Sequence, residues 1–203
     1  MKKQLVIITL FLWILFSVSS VWASDGPVGM LSSISDQMIA SLKAHQTTLK
    51  SNPGYVFSLA RRLVVPHADL DEMARRVLPP STWNAASPQQ RVQFQREFTT
   101  LLIRTYASAL AEYKDETVRF MPVRNDSGNT VTVDSEIIRT EGPTIAVSYR
   151  LVRKDSGWKL YDMIVEGVSM LESFRSQFSD KLNQENIAQL IVDLREHNAG
   201  HGG

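Results

Sequence analysis

Few side chains in this sequence are placed to do covalent chemistry. The four histidines, His45, His67, His197 and His201, are scattered, and none stands at metal-ligand spacing from another histidine or from a carboxylate cluster. His67 precedes Asp69, Asp71 and Glu72, but acids there suit the start of a helix, where free backbone N–H groups and the helix dipole favour negative charge. The chain has no cysteine, which excludes thiol nucleophiles, thiolate metal sites and disulfides together. Neither a nucleophile-elbow serine nor a glycine-rich phosphate loop occurs. Ser169 follows Gly167-Val168 and reads as a helix cap. Asp162 and Glu166 form the one pair that an acid/base mechanism would use, since alternation places both on one side of a strand. Trp158, Leu160 and Ile164 share that side and Arg150 lies on the neighbouring strand, so an ion pair between strands accounts for the acids more simply.

The charge balance narrows the partners. With 22 Lys+Arg against 21 Asp+Glu, the formal charge is +1, and the longest basic runs are pairs such as Arg61-Arg62 and Arg75-Arg76. Such a chain has no field for gripping nucleic acid, and the arginine pairs read as solvated helix faces, with a role at a membrane surface or a partner as the alternative. At 203 residues, 43% hydrophobic and 21% charged, the composition is that of one ordinary globular domain.

The N-terminus reads as an export signal. Met1-Lys2-Lys3 precedes an apolar run from Leu5 to Val18, and Ser19 to Ala23 brings small residues at the end. That run of about 14 residues falls short of the roughly 20 that span a bilayer. Cleavage is expected after Ala23, giving a leader over 1–23, a single domain over 24–198 and a disordered tail over 199–203. Removing Lys2 and Lys3 leaves 20 basic against 21 acidic residues, and the product is expected in the periplasm.

The remaining residues must be positioned by helices and strands in a definite order. Val28, Leu31, Ile34, Met38, Ile39, Leu42 and Leu49 recur at helical spacing, which predicts a helix over 28–50, stopped by Asn52-Pro53-Gly54. Shorter helices are expected over 55–65 and, from an Asp69/Glu72 capping box, over 70–78 before Pro79-Pro80. Ser87, Pro88 and Gln90 launch a long helix to Tyr113, with Phe94, Phe98, Leu101, Leu102, Tyr106, Ala109, Leu110 and Tyr113 in one stripe. The period then changes to two over 117–123, 129–140, 144–153 and 158–168. Asn125-Asp126-Ser127-Gly128, Glu141-Gly142-Pro143 and Lys154-Asp155-Ser156-Gly157 make tight turns between these strands. Ser169 and Glu172 open a helix over 170–178, and a last one spans 184–197. Helices, a four-strand antiparallel meander and helices again make an α+β fold with one sheet face covered.

Alternation places Val147, Tyr149 and Leu151 on one face of the third strand, and Tyr161, Met163 and Val165 on one face of the fourth. That apolar face needs a cover, and the stripe with Phe94, Phe98, Leu102 and Tyr106 is available for it. Side chains that fill a space and side chains that line one look alike in a sequence, so a packed core and an apolar cavity both remain open here.

Longer segments carry a resemblance. Val65-Pro66-His67-Ala68-Asp69-Leu70-Asp71-Glu72-Met73, Trp83, Gln90 with Phe94, Phe98 and Tyr106, the run from Gly157 to Ser169, and Phe174-Arg175-Ser176-Gln177-Phe178 together resemble the MlaC family, also called toluene-tolerance or Ttg2-type proteins. Its most specific part is Trp158 to Phe178. Two positions depart from the family pattern: Leu78-Pro79-Pro80-Ser81-Thr82-Trp83 replaces a Leu-Gly ahead of the tryptophan, and Phe174 stands where tyrosine is common. The resemblance implies a curved antiparallel sheet of about four strands wrapped by helices, with an apolar cavity between them.

It further implies a monomeric, non-enzymatic periplasmic carrier with no cofactor and with phospholipid as cargo. The carrier would pass lipid between an outer-membrane lipoprotein–porin complex and an inner-membrane ABC transporter with a lipid-binding ring, and so maintain outer-membrane lipid asymmetry. Residues bridging sheet and long helix are then expected to contact the acyl tails: Phe94, Phe98, Leu102, Tyr106, Val147, Tyr149, Tyr161, Met163 and Val165. Two rivals are an NTF2-like enzyme using Asp162 or Glu166 as a base, and an envelope interaction module with a dry core.

Overall fold

The computed structural model describes residues 26–123 and 128–200. The expected leader, the turn residues Asn125, Asp126 and Ser127, and the last three residues of the expected tail lie outside the described residues. Helix α1 (Pro27–Ala44) has proline at its first turn, where the missing N–H costs no hydrogen bond. The helix expected over 28–50 is in fact two, because the backbone leaves the helical region at His45 before α2 (Gln46–Ser51). Helix α3 (Pro53–Leu63) and a single 3-10 turn (Val65–His67) lead to α4 (Leu70–Val77). Asp69 caps α4 by accepting from the Glu72 N–H. Its own N–H is taken by the Leu160 carbonyl at 2.8 Å, so the Glu72 carboxylate serves Arg75 and Arg76 instead of closing a box.

Pro79-Pro80, expected only as a break, starts a further helix, α5 (Pro80–Ala85), since proline is compatible with a first helical turn. The long helix α6 (Pro88–Ala111) opens with both halves of the Ser87/Gln90 capping box. Strands β1 (Thr117–Phe120), β2 (Thr130–Ile138), β3 (Ile145–Lys154), β4 (Gly157–Val165) and β5 (Val168–Ser169) form an antiparallel sheet in sequential order. Among the described residues five strands appear where four were expected, because Glu166 and Gly167 take positive φ of 50° and 81° and turn the chain back in a two-residue hairpin. Ser169 then caps α7 (Met170–Leu182), and Asn186 accepts from the Ala188 and Gln189 N–H groups at the start of α8 (Ile187–Gly200). Ala199 and Gly200, placed in a disordered tail by the sequence reading, belong to this helix.

Among the described residues, three apolar clusters hold the layers together. Phe94 and Phe98 of α6 pack edge-on against Phe174 and Phe178 of α7, and Leu190, Ile191 and Leu194 of α8 complete a mainly helical core. Met30 and Leu31 of α1 cover Val131, Val133, Leu151 and Trp158 of the sheet. The C-terminal half of α1 (Met38, Leu42) packs with Leu49, Val56 and Leu59, so one helix joins the sheet to the helical layer.

Candidate functional site

The site is decided by a single extra residue in β4. Arg150 pairs with Asp162 but Leu151 pairs with Leu160, so Tyr161 is a β-bulge with no partner on β3. A bulge reverses the alternation beyond it. Met163 and Val165 stay opposite Tyr149 and Val147, while Leu160 and Trp158 join their side opposite Leu151 and Arg153. Tyr161 leaves that side and packs into the helical cluster with Phe94 and Phe98. This corrects the expectation that Tyr161, Met163 and Val165 share a face, and the one that Trp158 and Leu160 lie opposite them.

The correction divides the nine candidate residues into two groups. Phe94, Phe98, Leu102 and Tyr161 belong to the helical cluster, with Tyr106 packed against it. Val147, Tyr149, Met163 and Val165 lie together on the sheet face that α1 covers, where Tyr149 packs beside Phe120 with ring centroids 5.9 Å apart. The expected cover of that face by the long helix is replaced by Met30 and Leu31 of α1. Register adds three residues that sequence reasoning missed. Ile137 and Ile145 pair across β2 and β3, and Val118 pairs with Ile137, which places all three in phase with Val147. Val147 is buried at 3% exposure, whereas Val118, Ile137, Ile145, Met163 and Val165 are only half-buried. Alternation within each strand was visible, but only the pairing assembles them into one apolar strip.

The polar side chains of the candidate residues are neutral or committed. Burial raises the Tyr149 phenol above its ordinary value, against a smaller opposing effect of its hydrogen bond with Ser135. Burial likewise raises the Tyr106 phenol, helped by the Asp162 carboxylate. Neither tyrosine ionises near neutral pH, so each presents an uncharged ring.

Asp162 is 2% exposed, and all of its acceptor positions are occupied. Oδ1 accepts from the Met163 and Leu171 N–H groups at 2.9 and 3.1 Å, and Oδ2 from the Ser169 hydroxyl and Arg150 Nη1 at 2.8 and 3.1 Å. A carboxylate with four donors has no lone pair left to take a substrate proton. Glu166, expected beside it on the strand, lies in the β4–β5 turn, is exposed, and accepts from the Ala146 N–H. The two acids therefore form no catalytic pair. Among the described residues there is no cluster of potential metal ligands and no helix long and apolar enough to cross a membrane.

On the other sheet face lies a cleft of about 240 Å³, bordered by Arg75, Arg76, Arg150 and Arg175. Leu78, Tyr161 and Leu171 are among its other lining residues.

The model of the MlaC protein family matches residues 32–196. The chain belongs to the MlaC family. A Haemophilus influenzae protein named intermembrane phospholipid transport system binding protein MlaC is 26% identical over 200 residues, 97% of this chain and 93% of that protein. The toluene tolerance protein ttg2D of Pseudomonas putida is 26% identical over 162 residues, covering 80% of this chain and 75% of that one. A solved phospholipid-binding protein from Ralstonia solanacearum, in complex with a phospholipid, superposes with a TM-score of 0.78 at 31% identity. That match covers 84% of this chain and 96% of the Ralstonia protein. The α+β architecture of a sequential antiparallel sheet with helices around it is therefore shared with a protein of this family's fold that holds a lipid.

Proposed function

We propose that this protein is a soluble, non-enzymatic periplasmic carrier that covers the acyl tails of one phospholipid during transfer between membranes. The observation that carries the reading is the likeness to the phospholipid-bound Ralstonia protein over nearly the whole of that chain. The half-buried strip of Val118, Ile137, Ile145, Met163 and Val165 supports it, since residues of this kind in an otherwise well-packed domain gain from a removable apolar cover. The sheet half of the candidate set, Val147, Tyr149, Met163 and Val165, contacts the tails in this reading. Phe94, Phe98 and Leu102, buried to between 0 and 8% exposure, act mainly as the frame. Cargo is exchanged with an inner-membrane ABC transporter complex and an outer-membrane lipoprotein–porin complex.

The energetics give such a carrier a purpose. Two acyl chains contain about 30 methylenes, and at about 0.8 kcal/mol each their exposure to water costs on the order of 20 kcal/mol. Transfer through water without a cover is closed off by that cost. Purification without detergent, solvent extraction and mass spectrometry should find about one phospholipid per chain. Met163→Lys, at a half-buried position that tolerates the change, and Val147→Glu should lower that ratio several-fold, while Arg61→Gln leaves it unchanged. Retention by the folded Met163→Lys variant equal to that of the unaltered protein would overturn the tail assignment, and absence of lipid from the unaltered protein would overturn the carrier reading.

A further inference from the structure

The cleft on the opposite side of the sheet is not used by the tail strip. Arg150, Tyr161, Asp162 and Ser169 are its sheet residues, and the strand pairing directs Arg150 and Asp162 away from Tyr149, Met163 and Val147. Arg75 and Arg76 reach it from α4, Arg175 from α7. Four arginines thus line one volume, against the carboxylates of Asp162 and Glu172 in the cleft and Glu72 beside it, which leaves an excess of positive charge.

Three of the four guanidinium groups are held in place without being used up. Glu72 bonds Arg75 through Nε and Nη2 and takes Arg76 through Nε alone at 2.6 Å, while the Arg76 guanidinium lies 4.6 Å from the centre of the Tyr161 ring. Asp162 takes only Nη1 of Arg150. Arg175 is exposed and has no ion pair among the described residues. Each arginine therefore keeps N–H donors for a ligand, and three of the four are oriented beforehand, which lowers the ordering cost of binding.

We propose that this cleft is a second binding site, one that takes a phosphate group. Donors from several guanidinium forks suit an anion with three or more acceptor oxygens, whereas a carboxylate offers two. A cleft of about 240 Å³, open to solvent on one side, leaves room for a phosphate group. The phosphate belongs either to a lipid head group at a bilayer surface or to a free phosphate ester, and the two share the same recognition chemistry.

The test is a ³¹P NMR titration of sn-glycerol 3-phosphate with the purified full chain, with acetate and phosphatidylglycerol vesicles as competitors. Saturable binding is expected that acetate does not displace and that weakens as salt is raised, because the cleft is open to screening. Arg175→Gln combined with Arg76→Gln, both at exposed positions, should weaken it at least tenfold, and Arg62→Gln, on an exposed face of α3, should not. Competition by vesicles assigns the site to a head group, and its absence assigns it to a free ester. No saturable binding, equal displacement by acetate, or unchanged affinity in the folded double variant each overturns the proposal. The result is independent of whether phospholipid co-purifies, so the carrier reading and the cleft stand or fall separately.

Discussion

At the residue scale, the buried polar groups act as joints. Asp162 ties β4 to the first turn of α7 by accepting from Ser169 and Leu171 while also holding Arg150. Glu97 does the same between α6 and α8. It is 7% exposed, pairs with Arg96 at 2.8 Å and accepts from Asn198 Nδ2 at 3.1 Å, and that same amide nitrogen donates to the Glu97 carbonyl. Burial pushes its carboxyl up, but the hydrogen bonds from Arg96 and Asn198 and the charges of Arg96 and Arg195 outweigh that and hold it below its ordinary value of 4.5. A depressed folded-state value means that these contacts stabilise the protein at neutral pH and are lost as pH falls through the carboxylate range. The urea midpoint should therefore drop progressively below about pH 5. Glu97→Gln should make that part of the acid dependence shallower, and an identical slope in the variant would show that the joint contributes no linkage.

At the element scale, the controlling features are caps, turns and one bulge. Ser87, Asp69 and Ser169 each satisfy a helix N–H that would otherwise have no partner, and each was recognisable from spacing to the residue three positions on. The Glu166-Gly167 hairpin was not recognisable as one, since the flanking Val165 and Val168 continue an apolar run that reads as uninterrupted strand. Gly167 has φ of 81°, a region costly to residues with a Cβ, although a methyl group there would meet nothing within 4 Å. Gly167→Ala should accordingly lower stability by about 1 kcal/mol through backbone strain alone, measured by urea denaturation. A neutral result would indicate that the hairpin relaxes to another turn type.

The Tyr161 bulge explains why the candidate set mixed two environments. Alternation counted along β4 from Val165 back to Trp158 crosses the bulge, and one extra residue sends every side chain beyond it to the other face. Nothing in the residue types around Tyr161 marks the insertion. It shows only in the register against β3, where Arg150 and Leu151 are consecutive but their partners are not.

At the scale of the whole molecule, α1 connects the sheet cluster to the helical layer, and the half-buried strip lies on the sheet face that α1 covers. A ligand that binds the folded chain alone stabilises it by mass action, by about 2.7 kcal/mol at a free concentration a hundred times its Kd. Removing phospholipid should therefore lower Tm, and adding it back should restore the original value. A Tm indifferent to delipidation would mean that the strip is satisfied without cargo. Met163→Lys should lose most of this lipid-dependent increment while keeping the Tm of the lipid-free protein nearly unchanged, given its partial exposure.

The sequence by itself determined most of the elements and their order, though not helix α5, the break at His45 or the β5 hairpin, together with the absence of thiol chemistry and, through the segments from Val65 to Phe178, the family. These are local properties: caps, periods and turns act over a few residues and read alike in any tertiary setting. Tertiary structure alone decided which helix covers the sheet, that Tyr161 lies apart from Met163 and Val165, and that Asp162 is a fully bonded joint. It also brought Arg75, Arg76, Arg150 and Arg175, drawn from a helix, a strand and a second helix, around one cleft. Each of those outcomes depends on register and on packing between distant segments, where one inserted residue or one helix in place of another changes every contact that follows.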